Sequence, residues 1–255
     1  MSYQALVTAG TLGTGASGQP SDWAGRNNGK VTTTSADSGP RRTGGEPAAG
    51  GAGGRRRGKG TTALASERRE HLVRLAAELF AKKGFQATTV REIADEAGIL
   101  SGSLYHHFDS KESIVDEVLS NFFDDLLTAN HTAVAEGGDP REVLAALVRI
   151  AFGTLGPHRA AITVMQNDWN YLSSLPRFSY LTKAEQETES IWIGQIKRGQ
   201  EIGLFRPDID AELTYRMIRD TIWVAIRWFR PGGRLGADGL ADHYLKVLFD
   251  GICTH

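Results

Sequence analysis

The feature that most constrains the fold of this chain is a pair of short segments with apolar residues at helical spacing, joined by a glycine. In TTVREIADEAG, Thr89 is placed as an N-cap and Glu92 follows three residues later, which is the spacing of a capping box. Gly98 then predicts the end of this helix. In the next segment, SGSLYHHF, Leu104 and Phe108 are four residues apart, which is typical of the inner face of another short helix. Two short helices joined by a tight glycine turn indicate a helix-turn-helix.

The flanking residues predict helices on both sides of this pair. In SERREHLVRLAAELFAKKGF the apolar residues recur every three or four positions, with Ser66 as the expected N-cap and Gly84 as the stop. Ser110 is the expected N-cap of a helix that begins at Lys111 and that we expect to reach about Thr128. Residues 66–112 are therefore predicted to form a three-helix domain.

In a helix-turn-helix, the second helix of the pair lies in the major groove of DNA. Tyr105 and His106 are then expected on its outer face, where they can donate to phosphate oxygens, whereas Phe108 faces the core. Lys111 combines its charge with the free N–H groups of a new helix, which favours phosphate binding. The alternative is that YHHF is a polar-aromatic helix end and Lys111 a solvated charge, but the order of all these features favours DNA binding.

Residues 66–113 resemble the DNA-binding domain of the tetracycline-repressor (TetR) family. The resemblance implies that Thr89, Tyr105 and Lys111 contact phosphates and that Leu100, Ser101, Ser103 and His106 approach base edges; Thr88 is also a candidate. Leu100 and Ser101 stand where the family more commonly has a Ser-Lys pair. The matching positions are Phe80, Gly84, Thr88, Thr89, Ile93, Ala94, Ala97, Gly98, Gly102, Leu104, Tyr105, Phe108, Ser110 and Lys111.

The charge of the chain is unevenly distributed. The net charge is −1, but residues 1–65 carry eight lysines and arginines against three acidic residues, a balance of +5. Stretches such as GGEPAAGGAGG bury too little apolar surface to offset the entropy of ordering, so we expect residues 1–65 to be a disordered tail. A basic arm of this kind can follow phosphates beside an operator.

Other features narrow the class of protein. The one cysteine, Cys253, excludes a disulfide framework within the chain, and no apolar run reaches about 18 residues. We therefore expect a soluble cytoplasmic protein with no membrane partner. A nucleophile elbow, a phosphate-binding glycine loop and histidine-carboxylate metal spacing are all missing, so we expect no catalytic residues, no cofactor and no metal. An acyl-CoA-using enzyme with an appended helix-turn-helix is the alternative from another class.

Residues 113–255 have helical periodicity and no strand pattern, which predicts an all-α fold. Asp139 and Pro140 are expected to begin one helix, Asp208 or Asp210 another that reaches about Phe229, and Ala237 a last one. The resemblance implies dimerisation through the last two helices and enclosure of a small ligand by the middle ones. Candidates for an apolar pocket, most of which we expect to be ordinary core, are Phe122, Phe123, Leu126, Phe152, Leu155, Ile162, Met165, Trp169, Ile191 and Trp192.

One helix face carries four arginines around a tryptophan, namely Arg216, Arg219, Trp223, Arg227 and Arg230. Three interpretations remain open: a solvated face with the tryptophan at a dimer interface, a second nucleic-acid contact, or a site for a ligand with phosphates and an aromatic base. The chemistry of coenzyme A fits the third, because guanidinium groups bind phosphate bidentately and indole stacks on purine.

Taken whole, the chain resembles the acyl-CoA-responsive repressors of steroid and cholesterol catabolism, the KstR type, within the TetR family. This implies a dimer that binds an inverted-repeat operator in double-stranded DNA and is released by a coenzyme A thioester of a ring-degradation intermediate. A fatty acyl-CoA or another apolar small molecule is the alternative inducer.

Overall fold

The computed structural model describes residues 57–253, with side chains from residue 66 onward. Within that range the secondary structure is helical, and an isolated antiparallel bridge between Phe205 and Cys253 is the one β contact. The all-α prediction is confirmed. The helices are α1 (Arg57–Lys83), α2 (Val90–Glu96), α3 (Ser101–Leu104), α4 (Lys111–Glu136), α5 (Pro140–Thr154), α6 (Arg159–Leu172), α7 (Ser179–Glu201), α8 (Ala211–Ala225) and α9 (Ala237–Ile252), with a 3-10 turn at Pro176–Phe178.

The first helix begins earlier than the sequence pattern predicted. Ser66 is an interior residue of α1, and its hydroxyl donates to the carboxylate of Glu70 at 3.2 Å instead of capping the helix. The alanines and leucine that precede Ser66 are strong helix formers, so the helix continues upstream to Arg57. The prediction of disorder is therefore wrong for residues 57–65, and its remaining part, residues 1–56, lies outside the described residues.

The predicted helix caps in the rest of the chain are confirmed. Thr89 and Glu92 form a reciprocal capping box, Asp139 caps α5 with Pro140 as the first helical residue, and Asp210 caps α8. Each cap satisfies backbone N–H groups that have no partner inside the helix, which fixes where the helix starts. Two helix ends differ from the prediction. Helix α4 extends to Glu136, beyond the expected end near Thr128, and α8 stops at Ala225, before the expected end near Phe229.

The C-terminal helices pack around α5, which contacts α4, α7 and α9, while α1 packs against both α4 and α6. The core runs without a break from α1 to α9 and is formed by aliphatic and phenylalanine side chains. None of the helices between residues 57 and 253 is both long and apolar enough to cross a membrane.

Candidate DNA-binding surface and ligand cavity

Helices α2 and α3 form a helix-turn-helix whose outer surface is polar and open. Gly98 adopts a φ of 66°, a left-handed conformation that suits glycine, and reverses the chain after α2. Helix α3 is regular only to Leu104, and Tyr105 to His107 continue it as hydrogen-bonded turns. Tyr105 and His106 are exposed, as is Leu100, of which 80% is accessible. Ser101 and Ser103 are half-buried on the same short helix.

Thr88 has a different place from the one predicted. Its side chain is buried, and its hydroxyl donates to the carbonyl oxygen of Gly84 at 2.8 Å. A side chain that is enclosed and already hydrogen-bonded cannot reach a phosphate, so the assignment of Thr88 to DNA is corrected. Thr88 instead links the end of α1 to the loop before α2, and the adjacent exposed residue, Thr89, is the one available to DNA.

Glu92 ties the first turn of α2 to α1. Its carboxylate accepts from Lys83 at 2.6 Å, and also from the backbone N–H and the hydroxyl of Thr89 at 2.8 and 2.9 Å. Hydrogen bonds from Lys83 and then Thr89 lower the pKa of Glu92 to about 2. The carboxylate is therefore ionised at neutral pH, and it holds Thr89 at the exposed start of α2.

Arg69 in α1 holds the end of α3. Its guanidinium donates to the carbonyl oxygen of His107, lies 4.2 Å from the ring centroid of Phe108, and forms a salt bridge of 2.6 Å with Glu117 in α4. One side chain thus connects α1, the turn after α3 and α4. No motif identified Arg69 from sequence, because its partners are distant in the chain.

Lys111 lies at the predicted start of α4, with its ammonium group directed into the protein. The Nζ atom donates to the backbone carbonyls of Phe85, Gln86 and Thr88 at 2.8, 3.3 and 2.9 Å, and it lies 4.4 Å from the centre of the Phe85 ring. These three contacts use all three donors of the ammonium group. Lys111 therefore anchors the loop before α2, and a phosphate contact would require it to leave these carbonyls.

A cavity of about 40 Å³ lies between α4, α5, α7 and α8. Typical ligand pockets measure about 300–1,000 Å³, so this cavity must widen to admit a large ligand. The lining is mostly apolar and aromatic, with the hydroxyls of Thr154, Thr188 and Tyr215 and one guanidinium. The residues that line it are Phe122, Leu126, Ala151, Thr154, Thr188, Trp192, Tyr215, Arg219, Ile222 and Trp223.

The structure brings together part of the predicted ligand set. Arg219, Trp223, Trp192, Phe122 and Leu126 line the cavity. The other candidates lie elsewhere: Phe123, Phe152, Leu155, Ile162 and Met165 are buried core residues, Trp169 and Ile191 pack partly buried against the core, and Arg216, Arg227 and Arg230 are exposed. The four arginines therefore do not all belong to one helix, since Arg227 and Arg230 follow the end of α8. Tyr215, Thr154 and Thr188 were missed, although Tyr215 and Thr188 each precede a predicted residue by one turn.

Arg219 is held at the cavity by acidic residues. Its guanidinium contacts Asp220 at 2.9 Å and Glu185 of α7 at 3.8 Å, and lies 5.7 Å from the ring centroid of Tyr215. Burial raises the pKa of Glu185, which the nearby Arg219 partly offsets, and burial also raises the pKa of Tyr215. An anionic ligand that bound Arg219 would compete with these two carboxylates.

Helix α8 also presents an exposed apolar stripe, formed by Leu213, Met217, Val224 and Trp228. The spacing of four, seven and four residues places these side chains along one side of the helix and its last turn. Val247 of α9 is also exposed. The sequence pattern alone did not identify this stripe.

Residues 72–118 match the bacterial regulatory proteins of the tetR family, and residues 137–252 match the tetracyclin repressor-like C-terminal domain. With the helix-turn-helix and the helical C-terminal region described above, the chain belongs to the TetR family of bacterial transcriptional regulators. Members of this family are transcriptional regulators.

Within the family, the chain is a regulator of the KstR type. It is 47% identical over 193 residues to the HTH-type transcriptional repressor KstR2 of Rhodococcus jostii (strain RHA1), which covers 76% of this chain and 95% of that protein. The structure of the ketosteroid transcriptional regulator KstR2 of Mycobacterium tuberculosis is 45% identical, with a TM-score of 0.72 over 74% of this chain and 96% of that one. AibR, solved with isovaleryl coenzyme A and operator DNA, shares the fold at 21% identity, with a TM-score of 0.63 over 71% of this chain and 98% of that one.

Proposed function

We propose that this TetR-type, ligand-responsive transcriptional repressor binds an inverted-repeat operator as a homodimer and is released by a coenzyme A thioester of a steroid-derived acid. The observation that carries the proposal is the placement of Arg219 and Trp223 together on the lining of the cavity in the C-terminal helices. Operator binding would take place in the cytoplasm, where bacterial DNA is found.

The exposed surface of the helix-turn-helix supports the DNA half of the proposal. The exposed hydroxyl of Tyr105 can donate to phosphate, and that of Thr89 can do so once it leaves the Glu92 carboxylate. His106 with Leu100, Ser101 and Ser103 can approach base edges in the major groove. Leu100 is suited to contact a thymine methyl group, because its side chain is apolar and exposed. These contacts would recognise one half-site of the operator. A two-fold dimer would present two such helix-turn-helix surfaces in mirrored orientation, one to each half-site.

The cavity supports the ligand half of the proposal. Arg219 offers a planar guanidinium to phosphate and Trp223 an indole surface to adenine, while Phe122, Leu126 and Trp192 offer an apolar lining to an acyl group. Asp220 and Glu185 hold Arg219 in the free protein, and the bound phosphates would replace them. A steroid-derived acyl group is favoured over a fatty acyl chain by the similarity to KstR2, one solved example of which is described as a ketosteroid regulator.

The apolar stripe of α8 supports the dimer. Met217 is 64% exposed and Trp228 is 59% exposed, and the exposure of such large apolar side chains to water is unfavourable. A second copy of the same stripe, related by a two-fold axis, would bury both sets. The last two helices would then form the interface, as the resemblance implied.

Native mass spectrometry of the protein purified from its own host tests the proposal. We expect the mass of a dimer plus a retained molecule whose fragments include adenosine phosphates and a polycyclic acyl group. A retained straight-chain acyl-CoA would favour the alternative inducer, a fatty acyl-CoA, over the steroid-derived thioester. A monomer, or a ligand without a nucleotide, would contradict the proposal. Turnover of an acyl-CoA by the purified protein would favour the enzyme alternative.

A further inference from the structure

Arg219 faces carboxylates from two different helices where it lines the cavity. Its Nε and Nη2 atoms lie 3.0 and 2.9 Å from the carboxylate of Asp220, the next residue of α8, and its Nη1 atom lies 3.8 Å from the carboxylate of Glu185 in α7. The Arg219 side chain is 19% exposed, so water screens these charges only in part. An anion that enters the cavity therefore meets a guanidinium that already has anionic partners.

The two carboxylates differ in how firmly they are joined to Arg219. Asp220 shares a helix with Arg219 and accepts a hydrogen bond from its Nε, so the two side chains move together with α8. Glu185 belongs to α7, and 3.8 Å is longer than a hydrogen bond, so this contact depends mainly on charge. The contact weakens when α7 and α8 separate, or when Glu185 is no longer ionised.

The surroundings of Glu185 oppose its ionisation. Burial raises the pKa of Glu185, the charge of Arg219 partly offsets the rise, and the like charge of Glu189, one turn later on α7, adds to it. Tyr215 of α8 contributes no charge near neutral pH, because burial raises its pKa as well. Phosphates bound to Arg219 would add negative charge beside Glu185 and would therefore raise the pKa of Glu185 again.

We propose that Glu185 competes with the inducer for Arg219 and that protonation of Glu185 ends this competition. The inference rests on the proposed function and adds to it a second effector, the proton. While Glu185 is ionised, it holds the guanidinium towards α7, and the phosphates of the inducer bind only by displacing it. Once Glu185 takes up a proton, one of the two carboxylates that oppose the phosphates is neutral.

Inducer binding and proton binding then favour each other. Because the pKa of Glu185 is higher in the inducer complex than in the free protein, binding takes up protons in the pH range between the two values. The inducer should bind more tightly as the pH falls through this range, and release of the operator should need less inducer there. A role limited to orienting Arg219 predicts the opposite, namely weaker binding whenever Glu185 is neutral.

The test compares two variants of α7 that lose the same charge. Glu185→Gln keeps the size of the side chain and removes the carboxylate, and Glu201→Gln makes the same exchange at an exposed residue at the end of the helix. The probe is cholyl-coenzyme A, the thioester of a steroid acid. Calorimetry at about pH 5.5 and about pH 8, in two buffers with different heats of ionisation, gives the affinity and the number of protons taken up.

We expect Glu185→Gln to bind the thioester about threefold to tenfold more tightly than the unaltered protein at the higher pH, because a competing anion is gone. The ratio of the two affinities should approach one at the lower pH, where Glu185 is protonated in the unaltered protein. Titration of the ligand's own phosphates cancels from this ratio. The unaltered protein should take up more protons than Glu185→Gln, and Glu201→Gln should behave like the unaltered protein.

Weaker binding by Glu185→Gln at both pH values, or a ratio of affinities and a proton uptake that do not change with the variant, would overturn the competition and leave Glu185 a positioning residue. If Glu185→Gln does not fold, Glu185→Ala is judged by the same ratio and the same uptake. Failure of the unaltered protein to bind the thioester at either pH would instead contradict the proposed function. The two failures are distinct, because the first requires an unaltered protein that binds the probe.

Discussion

The carboxylate of Asp168 in α6 accepts a hydrogen bond of 3.0 Å from the backbone N–H of Phe85, eighty-three residues earlier in the chain. Phe85 stands in the loop between α1 and α2, and Lys111 of α4 binds the carbonyl oxygen of the same residue. The Phe85 ring also contacts Tyr171 of α6, with 5.9 Å between the ring centroids. The loop that leads into the helix-turn-helix is therefore held on one side by α6 and on the other by α4, two helices of the C-terminal region.

We predict that Asp168 couples the ligand cavity to the helix-turn-helix. Asp168→Leu leaves the N–H of Phe85 buried without an acceptor and should lower the free energy of unfolding by about 1–3 kcal/mol, as measured by urea denaturation. The thioester concentration that releases half of the operator should rise, while the direct affinity for the thioester stays the same. Asp168→Asn is the matched control, since its side-chain oxygen can still accept. A normal release curve for Asp168→Leu would show that Asp168 does not couple the cavity to the helix-turn-helix.

Lys111→Met separates two roles of this lysine. Because the ammonium group is bound to three backbone carbonyls, we expect the variant to lose operator affinity through a misplaced loop, with no change in the dependence of affinity on salt. A direct phosphate contact would instead reduce the slope of log affinity against log salt by about one. Fluorescence anisotropy at four salt concentrations measures this slope. A slope reduced by one would restore the phosphate contact that the TetR resemblance implies.

A charge on the apolar stripe of α8 should separate the dimer. In Trp228→Glu, burial of the new carboxylate against a second copy costs more than leaving both stripes in water. Analytical ultracentrifugation should show a monomer, and operator affinity should fall by at least about a hundredfold because one half-site is lost. Ile202→Glu makes the same change at an exposed residue outside the stripe, and this variant should remain a dimer. A dimeric Trp228→Glu would place the interface elsewhere.

The basic charge of residues 1–65 should contribute to DNA affinity by releasing counterions. A full-length variant with Arg41, Arg42, Arg55 and Arg56 changed to Gln should bind the operator more weakly at low salt, and the difference should shrink as salt rises. Binding to an unrelated DNA duplex should fall in parallel, because phosphate contacts do not read sequence. An unchanged salt slope would show that these arginines stay away from DNA.

Features that depend on neighbours in the sequence were predictable. The capping box at Thr89, the N-cap at Asp139, the turn at Gly98 and the exposed Tyr105 follow from residues within one or two turns. The early start of α1 was missed because Ser66 looks like a cap in sequence, whereas the alanine-rich stretch before it continues the helix. The boundary between the two domains at residue 113 stays a prediction.

Features that depend on distant residues were not predictable. Thr88 looked like a surface residue beside Thr89, and only the packing of α1 against the loop shows that it is buried. The pairing of Asp168 with Phe85 joins two residues that no local pattern connects. Of the four arginines, Arg219 alone lines the cavity: Arg216 is exposed on α8, and Arg227 and Arg230 follow the end of that helix.

The most direct test of the central claim is release of the operator by an acyl-CoA thioester, followed by gel shift for the unaltered protein, Arg219→Ala and Trp223→Ala. All three proteins should bind the operator equally, because neither residue lies in the helix-turn-helix. A steroid-derived thioester should release the unaltered protein, while free coenzyme A and the free acid should not. Each variant should need about tenfold to a hundredfold more thioester, since a charge-assisted hydrogen bond or a stacked aromatic contact is lost. Release by the free acid as efficient as by the thioester, or a normal response of both variants, would contradict the account.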